Sequence, residues 1–157
     1  MDRKLNLGSG FRPRKQNEGW INIDIEEECM PDIVRDVRKG LPFDDNSVDY
    51  VYASHFMEHF EWEDFIFLMS EIWRVLKPEA TFEMIIPHYK HENAFDIDHK
   101  IVITPRTFRV FQRGLKATSS YKHFNNNKVY FKKAEIFDDF DGTRGEPQLY
   151  CKFKADK

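Results

Sequence analysis

Lys4-Leu5-Asn6-Leu7-Gly8-Ser9-Gly10 and, after ten intervening residues, Ile21-Asn22-Ile23-Asp24 decide how this chain reads. A short apolar run stops at a glycine turn, and a second apolar run stops at an acid. The pattern is strand, glycine turn, strand, acid. In an open α/β sheet a ligand binds beyond the carboxyl ends of the strands, where glycine lets backbone come close. An acid ending the second strand is placed to accept two ribose hydroxyls. The stretch therefore reads as half of a nucleoside site.

Working outward, residues 11–20 leave room for at most a turn or two of helix, whereas a complete crossover needs about 10–12 residues or more. The next connection is no longer. Glu26-Glu27-Glu28 can start a helical turn, but Pro31 biases Met30 towards extended structure. Both crossovers are cut down, which predicts an open, loop-rich nucleoside side. Residues 32–37 read as a third strand and residues 48–53 as a fourth, rich in β formers. The clearest helix spans 62–77, where Phe65, Met69, Ile72 and Leu76 form one buried stripe. Pro78 ends it. Residues 81–86 form a fifth strand, followed by a polar loop from His88 to His99. Thr104-Pro105 can cap a short helix running to Phe111. Asn125-Asn126-Asn127 reads as a turn. Residues 128–137 and 148–153 read as two strands pairing antiparallel. The expectation is a single doubly wound α/β domain over residues 1–157, its sheet mostly parallel with an antiparallel carboxyl-terminal hairpin.

Composition agrees with a soluble globular chain: 157 residues, 41% hydrophobic and 32% charged. Fifteen phenylalanines predict a core packed with large rings. No apolar run approaches the roughly 18 residues of a membrane span, and the chain enters a strand at Lys4 with no signal peptide before it. Cys29 and Cys151 show neither metal spacing nor a disulfide framework. A reducing, cytoplasmic setting is expected. The net charge of −3 hides an asymmetry. Residues 1–99 sum to −10. Residues 100–134 hold nine basic residues (Lys100, Arg106, Arg109, Arg113, Lys116, Lys122, Lys128, Lys132 and Lys133) and no acid. Such a block can face a small anion, but the acidic remainder would repel a long polyanion, so nucleic acid is not an expected partner.

The dinucleotide fingerprint fails. Pro13 holds its third glycine position, and Asp24 follows Gly10 by 14 residues rather than about 20. A Gly-Lys-Ser/Thr phosphate loop is also missing from the sequence. The ligand expected is a nucleoside without a pyrophosphate.

These segments resemble, in order, the class I S-adenosylmethionine-dependent methyltransferases of the small type 11-like group. Leu5-Asn6-Leu7-Gly8-Ser9-Gly10 is similar to the family's first motif, with Asn6 where an acid usually stands. Gly19-Trp20-Ile21-Asn22-Ile23-Asp24 resembles its ribose-binding strand. Leu41-Pro42-Phe43-Asp44-Asp45-Asn46-Ser47-Val48-Asp49 resembles the lead into the fourth strand, and Ser54-His55-Phe56-Met57-Glu58-His59 the segment after it. Glu71-Ile72-Trp73-Arg74-Val75-Leu76-Lys77-Pro78 matches the helix end, with Glu79-Ala80 in place of the usual glycines. Ala94-Phe95-Asp96-Ile97-Asp98-His99 with Thr104-Pro105-Arg106-Thr107-Phe108 resembles the following loop and short helix.

The resemblance implies a Rossmann-like methyltransferase fold and S-adenosyl-L-methionine as cofactor. By position, Gly8, Ser9 and Gly10 would lie against its methionine and ribose portions, and Asp24 would accept both ribose hydroxyls. Ile25 would pack on the adenine, Asp36 would accept from the adenine amino group, and Val37 would lie on the ring face. Ala53, Ser54 and His55 would line the methionine side. Methyl transfer is mostly in-line placement of a nucleophile, and a base helps only a hydroxyl or protonated amine acceptor. His55, His88 and His99 are the candidate bases, while His59 reads as structural. His88, His91, Glu92, Asp96, Asp98 and His99 have a metal-like composition, but their segment does not read as helix, so no metal is expected. The expected acceptor is a small molecule, anionic on the charge reading. A non-catalytic nucleoside-binding module of the same fold is the second reading.

Overall fold

The computed structural model describes residues 2–111, 129–132, 135–142 and 145–157. Arg113, Lys116, Lys122, Lys128, Lys133 and the Asn125-Asn126-Asn127 turn lie outside the described residues.

Seven strands form one sheet in the order β3-β2-β1-β4-β5-β7-β6. They are β1 (Lys4–Leu7), β2 (Trp20–Asp24), β3 (Ile33–Val34), β4 (Val48–Ser54), β5 (Leu76–Pro87), β6 (Glu135–Asp139) and β7 (Gln148–Lys154). Strands β1 to β5 run parallel, and β7 is antiparallel to both its neighbours. The order reverses between β1 and β4, which creates the crevice where ligands bind in such sheets.

The first crossovers are as short as the sequence predicts, each a single 3-10 turn at Gln16–Glu18 and at Glu27–Cys29. Met30 departs from the expectation: it adopts the left-handed conformation, φ 49° and ψ 51°, and closes its turn by donating its amide to Glu27 O. That turn outweighs the steric push of Pro31. Strand β3 is two residues long rather than six, because the Asp36 side chain accepts from Arg38 N and starts the turn Val37–Lys39.

Helix α1 (Trp62–Val75) buries Phe65, Leu68, Met69, Ile72 and Val75 along one stripe, with Glu63 and Asp64 complementing its amino-terminal dipole. It stops two residues before Lys77. Leu76 is already extended and enters β5 directly, pairing with Val48. Glu79 takes the left-handed φ of 64° in the bulge that follows, where Glu79 N donates to Ala155 O. The last helical turn spans Thr107–Phe111, later than Thr104-Pro105 suggested, with Thr104 N donating to Thr107 Oγ1. The expected strand over 128–137 is displaced to β6, while Phe131 makes an isolated bridge to Ala155.

Phe65, Phe82, Phe108, Phe111, Phe131 and Phe153 are fully buried, as the composition suggested. Phe82 and Phe153 stack at 5.7 Å, and Phe108 meets Phe153 edge-on at 4.9 Å. Among the described residues α1 is the one α-helix, and the other helical segments are 3-10 turns. No helix among them is long and apolar enough to cross a membrane.

Candidate functional site

The site begins at the carboxyl ends of β1 and β2. Gly8 N and Ser9 N both donate to Ile23 O, at 2.9 and 3.2 Å, which turns the chain away from the sheet. Gly8 has φ +63°, and a Cβ there would lie 2.1 Å from the Phe56 ring. Only glycine fits under that ring. Gly10 has φ +49° and open space around it. Asp24 fastens the turn, accepting from Gly10 N at 2.7 Å through Oδ2 and from Glu26 N at 3.0 Å through Oδ1.

Asn6, at the position where an acid is usual, donates from Nδ2 to Asn22 Oδ1 at 2.9 Å, both side chains buried. Asn22 also donates to Asp32 and to Arg14 O. Burial alone would raise the Asp32 carboxyl, but hydrogen bonds from Asn22 and Gln16 outweigh it and hold the group below the usual carboxylate range. This network ties the glycine turn's two strands to the 11–18 segment.

A cleft of about 350 Å³ opens between these strand ends and the start of α1. Asp24, Ile25, Asp36 and Val37 line one side; Phe56, His59, Phe60 and Lys100 line the other. Ile25 is half exposed. The Asp36 carboxylate is gripped by the Arg38 side chain, Nε to Oδ1 at 2.9 Å and a terminal nitrogen to Oδ2 at 3.0 Å. That grip, opposed by burial, holds it below the usual range. Four of the residues assigned from sequence thus share one cleft. Gly8, Ser9 and Gly10 flank it without lining it. Ala53 is fully buried, and Ser54 and His55 at the end of β4 lie outside its lining. Phe56, which follows them, does line it.

The candidate bases separate. His55 has φ 48°, stands 3.5 Å from Glu58 Oε1 through Nδ1 and 3.2 Å from Gln148 Oε1 through Nε2. The Glu58 carboxylate raises its imidazole above the ordinary value, with burial opposing. His88 is 0% exposed; Nε2 lies 3.0 Å from Asp138 Oδ1, and Nδ1 accepts from Lys90 N. Tyr89 stacks on its ring at 4.6 Å and Phe140 meets it tilted at 4.8 Å. His99 packs edge-on against His59 at 4.9 Å. His59, structural on the sequence reading, lines the cleft. Sequence reasoning missed Phe56 and the His59–His99 contact, which only the return of residues 96–101 to the 57–59 turn creates.

The residues present fit a nucleoside with a polar tail. Ser9 Oγ is buried with no hydrogen-bond partner beside a glycine that opens onto free space, and a carboxylate stands next to both.

Comparison with known proteins agrees with this fold. Residues 12–84 match the family described as "Methyltransferase domain". No curated protein matches by sequence. Among solved structures, the chain is similar to a SAM-dependent methyltransferase from Archaeoglobus fulgidus, with TM-score 0.69, 16% identity, and 98% of this chain and 86% of that one covered. A Methanosarcina mazei SAM-dependent methyltransferase gives 0.60 at 16% identity, covering 99% and 92%. The Haemonchus contortus phosphoethanolamine N-methyltransferase 2, bound to phosphomonomethylethanolamine and S-adenosylhomocysteine, gives 0.57 at 15%, covering 99% of this chain and 48% of that one.

Proposed function

We propose that this chain, whose residues 12–84 match a methyltransferase domain, is a class I S-adenosylmethionine-dependent methyltransferase of the type 11 group and that it methylates a small anionic acceptor. The observation that carries the cofactor half is the Asp24 carboxylate at the end of β2, facing the cleft beside the Gly8–Gly10 turn. Asp24 keeps lone pairs for the ribose hydroxyls after its two backbone hydrogen bonds. Ile25 and Val37 flank the adenine, and Asp36, steadied by Arg38, accepts from its amino group. Ser9 Oγ and the Gly10 backbone serve the tail. Bound S-adenosylmethionine supplies a methyl group on an already activated sulfonium. The chain's own work is then to orient the acceptor and keep water out, which is where alignment contributes up to about 7–11 kcal/mol. His55 is the group assigned to the acceptor side, held there by Glu58 and Gln148.

An anionic acceptor is favoured by Lys100 on the cleft wall and by exposed Arg106 and Arg109 just beyond it in sequence. A similarly folded protein that holds a phosphorylated amine supports the same class. Calorimetry should show micromolar binding of the cofactor or its demethylated product. Asp24→Ala should weaken it by about 1.5–3 kcal/mol. Release of S-adenosylhomocysteine with an anionic acceptor should fall with added salt, and Arg109→Ala should raise that acceptor's apparent KM while leaving cofactor binding unchanged. Wild-type affinity in Asp24→Ala removes the ribose assignment, and salt-independent turnover of a neutral acceptor removes the anionic one.

A further inference from the structure

We propose that Glu58, His59 and His99 form a binding site for one divalent transition-metal ion, zinc above all, at the edge of the cofactor cleft. Each offers a ligand atom, and the three atoms lie within 4.8 Å of one another. Two come from the 3-10 turn Met57–His59, and the third from the segment that returns after β5. The two segments are already stitched together: Glu58 O accepts from Lys100 N at 2.9 Å and from Ile101 N at 3.3 Å.

The independent sign of a ligand is Glu58 itself. Its side chain is only 2% exposed, yet neither carboxylate oxygen has a hydrogen-bond partner among the described residues. A buried carboxylate left in that condition is costly, and such groups are normally paired or bound to metal. Among the described residues its ion-pair partner is the half-exposed His55 imidazole, Nδ1 at 3.5 Å from Oε1 and charged only when protonated, which leaves Oε2 unanswered. His99 repeats the pattern, since its Nδ1 is buried with no partner. His59 is set up in the manner of a metal ligand: Nδ1 lies 3.3 Å from Asp98 O, an outer contact that fixes the ring and frees Nε2.

Two imidazoles and a carboxylate select the ion. Calcium and magnesium take oxygen ligands, whereas imidazole suits zinc, cobalt, nickel and copper. Zinc bonds of about 2.0–2.2 Å place tetrahedral ligands roughly 3.3–3.6 Å apart. The donors therefore close by at most about 1.2–1.5 Å on binding, within the reach of side-chain rotation. Glu58 is buried, but His59 and His99 are part-exposed, so a fourth position faces the solvent side for water or a ligand oxygen. Such an ion would staple the returning segment to the turn after β4.

The test uses the full chain, stripped of metal and titrated with zinc and, separately, with cobalt, read by calorimetry and by the visible band of tetrahedral cobalt. One ion per chain should bind in the micromolar range or tighter. His59→Ala and His99→Ala should each weaken binding by at least roughly 100-fold, while His91→Ala, in the loop but outside the trio, should leave it unchanged. Zinc should raise the melting temperature of the wild type and of His91→Ala but not of His99→Ala. If alanine variants unfold, His99→Gln supplies the same comparison. Failure of the wild type to bind either ion, or binding that survives loss of His99, overturns the site.

Discussion

Under α1, Leu5, Val51, Phe82 and Phe153 lie in register across β1, β4, β5 and β7, each at most 2% exposed. One residue further along, the opposite face of the same strands carries Asn6, Tyr52, Glu83 and Lys152. The first set is specified by volume: no polar atom needs a partner, and ring must fit ring. The second is specified by hydrogen bonds and charge. Asn6 pairs with Asn22, Arg14 stacks over Tyr52 at 3.8 Å and over Trp20 at 4.5 Å, and Tyr50 donates to Glu83. The contrast follows from the cut-down crossovers. A single 3-10 turn between β1 and β2 brings no apolar helix face to that side, so its polar residues are satisfied by one another and by the 11–18 segment laid over them.

Truncation tests the contrast at its strongest point. Phe82→Ala should cost about 3–5 kcal/mol, and Met69→Ala or Ile72→Ala about 2–5 kcal/mol, as cavities under α1. Urea unfolding checks this. A loss below half a kilocalorie per mole for any of the three would place that residue outside the core and dissolve the distinction.

The covered side also has one polar lock, which sharpens the comparison. Glu71 accepts from Arg74 through both oxygens at 2.8 Å and from Leu41 N at 2.9 Å. Arg74 in turn donates to Phe43 O, Leu41 O and Asp45. This clamp holds the 40–46 turn onto α1. The Arg74 hydrogen bonds, opposed by burial, keep the Glu71 carboxyl below its ordinary 4.5. Its folded value being depressed, the contribution is complete above about pH 4.5 and is lost as pH falls from there through the lower native value. Glu71→Gln should therefore cost about 1.5–3 kcal/mol at pH 7, and the gap to wild type should narrow in acid. A gap constant down to pH ~3 would show that the charge is not what holds the turn.

Much of this was legible in the chain itself, and the exceptions share a cause. The apolar runs of β1, β2 and β4 and the stripe of α1 are local periodicities, so sequence placed them to within a residue or two. The misplaced boundaries depended on contacts sequence does not display. Residues 32–37 look like a strand until Asp36 caps a turn, and Leu76 looks helical until β4 pairs with it. Asp24, Ile25, Asp36 and Val37 could be expected near one another because the resemblance fixes their distance from strand ends, and the fold brings them to one cleft. Phe56 over Gly8, and Glu58 and His59 beside His99, could not. Some forty residues separate the two halves of that cluster, and only the path of the loop after β5 joins them.

The smallest expected effect lies on the uncovered face, and it is the one that measures how much hydrogen bonding there contributes. Tyr50 is part-buried between Trp20, which meets it edge-on at 5.7 Å, and Glu83, which takes its hydroxyl hydrogen. Burial first, and then the Glu83 carboxylate, raise the phenol well above its ordinary value of 10. Tyr50→Phe keeps the ring and removes only the donor, so the loss should be about 0.5–1.5 kcal/mol at neutral pH. Because the folded value is raised, that contribution is complete below about pH 10 and fades as pH rises through the native value. The wild type should thus lose its advantage over Tyr50→Phe only in strong alkali. A penalty rivalling Phe82→Ala would mean the open face carries as much of the fold as the covered one, and no penalty would mean the Tyr50–Glu83 contact merely exchanges for water.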